Sequence, residues 1–107
     1  MVEGTTSYTY YTKEGKYFSK NDVDTPWNKL HREDGPAVIW DDGQIEWYID
    51  GKLHKLDGPA VHFKNGGKGY YISGKRLDEE EVETWIKENN INLKTKQHQV
   101  LFMVKFG

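Results

Sequence analysis

Two histidine–aspartate pairs carry the spacing closest to metal chemistry: His31 with Asp34, and His54 with Asp57. Two imidazoles and two carboxylates are an adequate donor set for zinc or another borderline ion. The pairs sit at equivalent points of an internal repeat, however, and antiparallel hairpins need not bring equivalent points together. The competing reading is structural. In it, polar side chains beside an Asp-Gly-Pro segment satisfy turn backbone groups, and on that reading no metal site is assigned. His62 and His98 have no partner visible in the sequence. The carboxylate pairs Asp41-Asp42 and Glu79-Glu80-Glu81 fall in a hairpin turn and at a helix start. Asn65-Gly66-Gly67-Lys68 is followed by Gly69 where a phosphate loop needs Ser or Thr, and it leads into a strand. No serine sits in a nucleophile-elbow pattern, and cysteine is absent altogether. The expectation is a protein that is not an enzyme, with no catalytic residue and no cofactor.

Aromatic side chains offer binding rather than catalysis. Tyr48 and Tyr71, with Lys16, Lys20, Lys64 and Lys68, could form a stacking platform for single-stranded nucleic acid. A net charge of −2 and an isoelectric point near 6.1 argue against a dedicated nucleic-acid binder, which needs concentrated positive charge. Absence of cysteine suits a reducing cytosol. No stretch approaches the roughly 18 apolar residues of a membrane span, so a soluble, cytoplasmic protein without a membrane span is expected.

What must position these residues is a repeat. Residues 30–52 and 53–75 align without a gap at a period of 23, sharing 12 identities, among them the Leu-His, Asp-Gly-Pro-Ala-Val and Gly-Lys groups. A period in this range marks supersecondary units that bury their apolar faces against one another. Closely spaced turn signals (Asp34-Gly35-Pro36, Asp42-Gly43 and Asp50-Gly51, then Asp57-Gly58-Pro59, Asn65-Gly66 and Ser73-Gly74) leave room only for short strands, giving an antiparallel meander. Alternation assigns Val38, Trp40, Ile45, Trp47 and Ile49, with Val61, Phe63, Lys68, Tyr70 and Ile72, to the core side. Ile39, Glu46 and Tyr48, with His62, Gly69 and Tyr71, then form the opposite face, the expected place for a ligand.

The flanks complete one domain of 107 residues. Residues 8–19 read as an N-terminal hairpin around Gly15, and residues 20–29 as an irregular connection anchored by Trp27. Asp78 and Glu81 form a capping-box-like start for a helix over 79–89, with Val82, Trp85 and Ile86 as its apolar stripe. Residues 98–106 read as a closing strand, with Val100, Phe102 and Val104 on one side. As a bare edge it would invite aggregation, so it is expected to pair with the sheet or with another chain.

The segment from Trp47, WYIDGKLHKLDGPAVHFKNG, resembles the membrane-occupation-and-recognition-nexus (MORN) repeat in its aromatic, Gly-Lys, His and turn-glycine positions. In its LHREDGPA form it is similar to the variant found in small proteins of tailed bacteriophages. The resemblance covers residues 30 to about 77. Arg32-Glu33-Asp34 or Lys55-Leu56-Asp57 stands where the usual repeat has Gly directly after His. The resemblance implies a scaffold of hairpins used as a binding surface, with no catalytic residue, and a host-takeover or counter-defence role in which a host protein is bound and blocked.

The fold expected is mainly β (α+β): an antiparallel meander of MORN-like hairpin repeats, one C-terminal helix packed on it and a closing strand. Recognition of a host protein through Tyr48, Tyr71, Ile39 and His62 is the expected function, and self-association is compatible with it. The alternative is a small-molecule or nucleotide-binding protein, in which Tyr48 or Tyr71 stacks on a base and Arg32 or Arg76 meets a phosphate.

Overall fold

Short strands and frequent turns produce a long, thin sheet. The computed structural model describes residues 7–20 and 25–107, so part of the connection expected over 20–29 lies outside the described residues. Strands β1 (Tyr8–Thr12) and β2 (Gly15–Ser19) form a hairpin. A single 3-10 turn at Trp27–Lys29 leads to β3 (Val38–Trp40), β4 (Ile45–Glu46), β5 (Tyr48–Ile49), β6 (Lys52–Leu53), β7 (Val61–His62), β8 (Lys68–Ile72) and β9 (Lys75–Leu77). Helices α1 (Glu79–Glu88) and α2 (Lys96–Phe106) follow. Among the described residues seven strands make one antiparallel sheet in the order β2-β1-β3-β4-β7-β8-β9, and β5-β6 form a separate ribbon. The radius of gyration is 15.0 Å, against about 13 Å for a compact chain of this length.

Turn chemistry sets the register. Asp50-Gly51 and Ser73-Gly74 each have both residues at positive φ, as the two-residue type I′ hairpin requires. At Asp41-Asp42-Gly43 and Lys64-Asn65-Gly66 the loop has three residues: the Trp40 N–H donates to the Gln44 carbonyl, the Phe63 N–H to the Gly67 carbonyl, and Val38 stands opposite Glu46. An odd loop keeps parity, so Val38 and Trp40 share a face with Glu46 and Tyr48, not with Ile45 and Trp47. The single core side expected from alternation is therefore corrected. One face carries Tyr8, Tyr10, Val38, Trp40, Glu46, Tyr48, Val61 and Tyr71, and the other carries Tyr11, Ile39, Ile45, Trp47, His62, Tyr70 and Ile72.

The core changes face along the sheet. On the first face Tyr8, Leu30 and Val38 are buried, with Trp27, Trp40 and Tyr48 packed around them. On the second, Tyr70, Ile72 and Leu77 are buried beneath Val82, Leu93 and Phe102, with Trp85, Ile86 and Phe106 alongside. Asp78 caps α1 by accepting the Glu81 N–H at 3.0 Å. Its acidic first turn lies at the positive end of the helix dipole.

The closing strand expected over 98–106 is instead the second helix. The Thr95 side chain caps it by accepting the His98 N–H at 3.2 Å. Phe102 and Phe106, one turn apart, both pack on Trp85, with ring centroids at 6.2 and 5.5 Å. A period-two reading fitted Val100, Phe102 and Val104 equally well, but only Phe102 of the three is buried.

Candidate functional site

The four side chains expected to bind a partner do not share a surface. Tyr48 and Tyr71 lie on the first face, Ile39 and His62 on the second, and all four are half-buried. Tyr48 belongs to a part-buried polar network centred on Glu46. Its hydroxyl donates to Glu46 Oε1 at 2.9 Å, while Trp40 Nε1 and Gln44 Nε2 donate to Oε2 at 2.9 and 2.7 Å. Glu46 is 9% exposed, and its two carboxyl oxygens meet three neutral donors. Burial, then the adjoining carboxylate, pushes the Tyr48 hydroxyl well above the ordinary phenol range. In the second copy the network is gone as a set, because Phe63, Gly67 and Gly69 replace Trp40, Gln44 and Glu46. The Tyr71 ring takes up the space over Gly69, where an added Cβ would come within 3.1 Å of it.

His31 and His54 perform one task twice. His31 Nδ1 accepts the Asp50 N–H at 3.0 Å and His54 Nδ1 accepts the Ser73 N–H at 2.9 Å. The following glycine N–H groups donate to the Leu30 and Leu53 carbonyls, each at 2.8 Å. Each Leu-His pair thus clamps the next type I′ turn, rather than serving the Asp-Gly-Pro turn beside it. Asp34 and Asp57 pair with Arg32 and Lys55 at 3.2 and 3.4 Å. Among the described residues no group of three or more His, Cys, Asp or Glu side chains could hold a metal ion.

Arg32 and Lys55 also match across the copies, each with its charged group 4.0 Å from a ring centroid, Tyr11 and Trp47 respectively. The matching hydrogen bonds, from the Tyr11 N–H to the Ala37 carbonyl and from the Trp47 N–H to the Ala60 carbonyl, put the N-terminal hairpin in the place a preceding unit would occupy. Sequence comparison missed this because Tyr11 lies outside the 23-residue alignment. Arg32 further donates to the Pro36 carbonyl at 3.1 Å, so it is engaged with protein groups on three sides. The open groove between the loops, about 520 Å³ and floored by Trp47, carries Arg32 and Lys55 alongside Glu33, Asp34 and Asp57 and so has no single-sign field. His62 stands edge-on to Trp47 at 5.7 Å, and its pKa is lowered by burial, then by Lys55 and Lys68. The stacking platform is not assembled either: Lys68 pairs with Glu83 at 2.7 Å and Lys64 with Asp42 at 3.8 Å. Lys16 lies opposite Tyr11, across the sheet from both tyrosines.

Large apolar side chains are exposed at two places, Tyr17 and Phe18 on the edge strand β2 and a larger set at the helical end. Val100, Leu101, Met103 and Val104 of α2 are exposed, Val104 by 78%. The other side of the same helix already buries Phe102 and packs Phe106. Beside it α1 and α2 enclose a groove of about 480 Å³ floored by Trp85 and Phe106 and rimmed by Glu80, Glu81, Glu88 and Lys105. Comparison with protein-family models, curated sequences and solved structures finds no match. No helix among the described residues is long and apolar enough to cross a membrane.

Proposed function

We propose that this chain is a non-catalytic binding protein that docks a partner protein on the outward side of α2. One observation carries the reading: Val100, Leu101, Met103 and Val104 are exposed on a helix whose opposite side already supplies its share of the core. Covering a large aliphatic side chain fully contributes about 1.5–3 kcal/mol, so a partner over these four residues has a substantial apolar anchor. The sheet serves as scaffold, in keeping with the MORN-like pattern of residues 30–75. The phage-like form of that pattern supports a host-takeover or counter-defence factor acting on a host protein in the cytoplasm.

The test compares the wild type with a Val100→Lys/Val104→Lys variant, both verified by circular dichroism melts, as bait in a bacterial lysate. A stoichiometric protein held by the wild type and lost by the folded variant is the expected result. A partner held equally by both, a retained nucleotide, or a wild-type dimer that the variant converts to monomer in light scattering overturns the reading.

A further inference from the structure

The groove beside α2 says what kind of segment fits. Its floor is the edge-on pair Trp85 and Phe106, whose centroids are 5.5 Å apart. Met103, 43% exposed, lies one turn before Phe106, so by helix geometry it is the exposed apolar residue of α2 that borders this floor. Glu81, Trp85 and Glu88, at i, i+4 and i+7, follow one side of α1. Among the described residues Glu80, Glu81 and Glu88 form no ion pair, and Lys105 is the only cation lining the groove. Residues 78–88 contain six carboxylates and one lysine, in a chain whose total net charge is −2. The helix dipole accounts for Glu79, Glu80 and Glu81 at the positive end of α1. Glu88 is the last helical residue, at the negative end, where a carboxylate is unfavourable. Its position is not explained by helix stability.

Resting on the reading that α2 docks a protein, we propose that the occupant is a basic amphipathic segment of the partner. Its apolar residues cover Met103, and its arginines or lysines lie over the Trp85–Phe106 floor against Glu81 and Glu88. Cations attract aromatic faces and carboxylates alike. The two glutamates are about 10 Å apart along the α1 axis, a spacing met by cations two helical turns apart in the partner.

The probe is a synthetic helical peptide with a leucine stripe flanked by arginines, with a control carrying glutamate for every arginine. Both are titrated into isotopically labelled protein and followed by NMR. The arginine peptide should bind, shift the Trp85, Glu88 and Phe106 signals, and weaken steeply as salt is raised. Glu81→Gln/Glu88→Gln should weaken it about tenfold, as expected for two partly screened pairs. This variant keeps the α1 cap, because Glu81 contributes only its backbone N–H to Asp78. No binding of the arginine peptide, equal binding of the glutamate control, or unchanged affinity in the glutamine variant overturns the inference. A lysate partner that Val100→Lys/Val104→Lys releases would leave the docking reading standing even then. Loss of both results would remove both.

Discussion

Tyr48 separates a binding face from a core, and removing its hydroxyl tests which it serves. Tyr48→Phe keeps the ring against Leu30 and Val38 but leaves the Glu46 carboxylate with two donors, Trp40 and Gln44. A hydrogen bond to a charged group contributes about 1.5–3 kcal/mol, and with two donors left on the acceptor the loss lies in the lower half of that range. The expected destabilisation is therefore about 2 kcal/mol, a substantial part of the roughly 5–15 kcal/mol that holds a small domain together. Glu46→Gln alters the same network from the other side, since a neutral amide oxygen accepts more weakly than a carboxylate. In a double-mutant cycle, Tyr48→Phe should cost about 1 kcal/mol less in the Glu46→Gln background than in the wild type. Urea denaturation read by tryptophan fluorescence measures all four corners. If Tyr48→Phe changes stability by less than about 0.5 kcal/mol, the size typical of surface substitutions, the hydroxyl is solvated and the ring is free to meet a partner. Additivity of the two substitutions would likewise sink the coupling argued here.

Two further perturbations have outcomes set by the same structure. His54 must keep Nδ1 unprotonated to accept the Ser73 N–H, and burial lowers its pKa below the ordinary 6.5. Its contribution to stability is therefore full above pH 6.5 and falls as pH drops through the lowered folded value, with His62 adding in the same direction. Denaturation midpoints should fall between pH 7.5 and 5.5, and unchanged or rising midpoints would refute the sign. Gly51→Ala and Gly74→Ala test one turn position in two surroundings: φ is +79° and +84°, but an added Cβ meets the Asn28 backbone oxygen at 2.3 Å in the first and only the Lys52 side chain at 3.6 Å in the second. Gly74→Ala should cost about 1–2 kcal/mol from backbone strain alone, and Gly51→Ala at least about 2 kcal/mol more; equal melting temperatures would contradict the packing of Asn28 on that turn.

Local chemistry made much of the fold legible. Asp50-Gly51 and Ser73-Gly74 marked turns that prove to be type I′, Asp78 and Glu81 marked the start of α1, and paired aromatic runs about Gly15 marked the first hairpin. Face assignment failed because it depends on loop parity, which sequence alone left open at Asp41-Asp42-Gly43. One residue more or fewer there would have put Trp40 beside Trp47. The identity of α2 failed for a different reason. QVLFMVKF is apolar enough to satisfy period two and period 3.6 alike, and the deciding contacts, Phe102 and Phe106 on Trp85, come from a helix well upstream.

The spread of Tyr48, Tyr71, Ile39 and His62 over two faces follows from the loop parity. Tyr48 and Tyr71 recur because each covers its own unit: over Glu46 as a hydrogen-bond donor in the first copy, and over Gly69 as a ring filling space in the second. The largest group of exposed apolar side chains among the described residues lies in the part of the chain that does not repeat. There α2 has one side committed to Tyr70 and Trp85 through Phe102 and Phe106, and the other, with Val100 and Val104, committed to nothing among the described residues. The repeated units build the sheet, and the unrepeated helices give it a distinctive end.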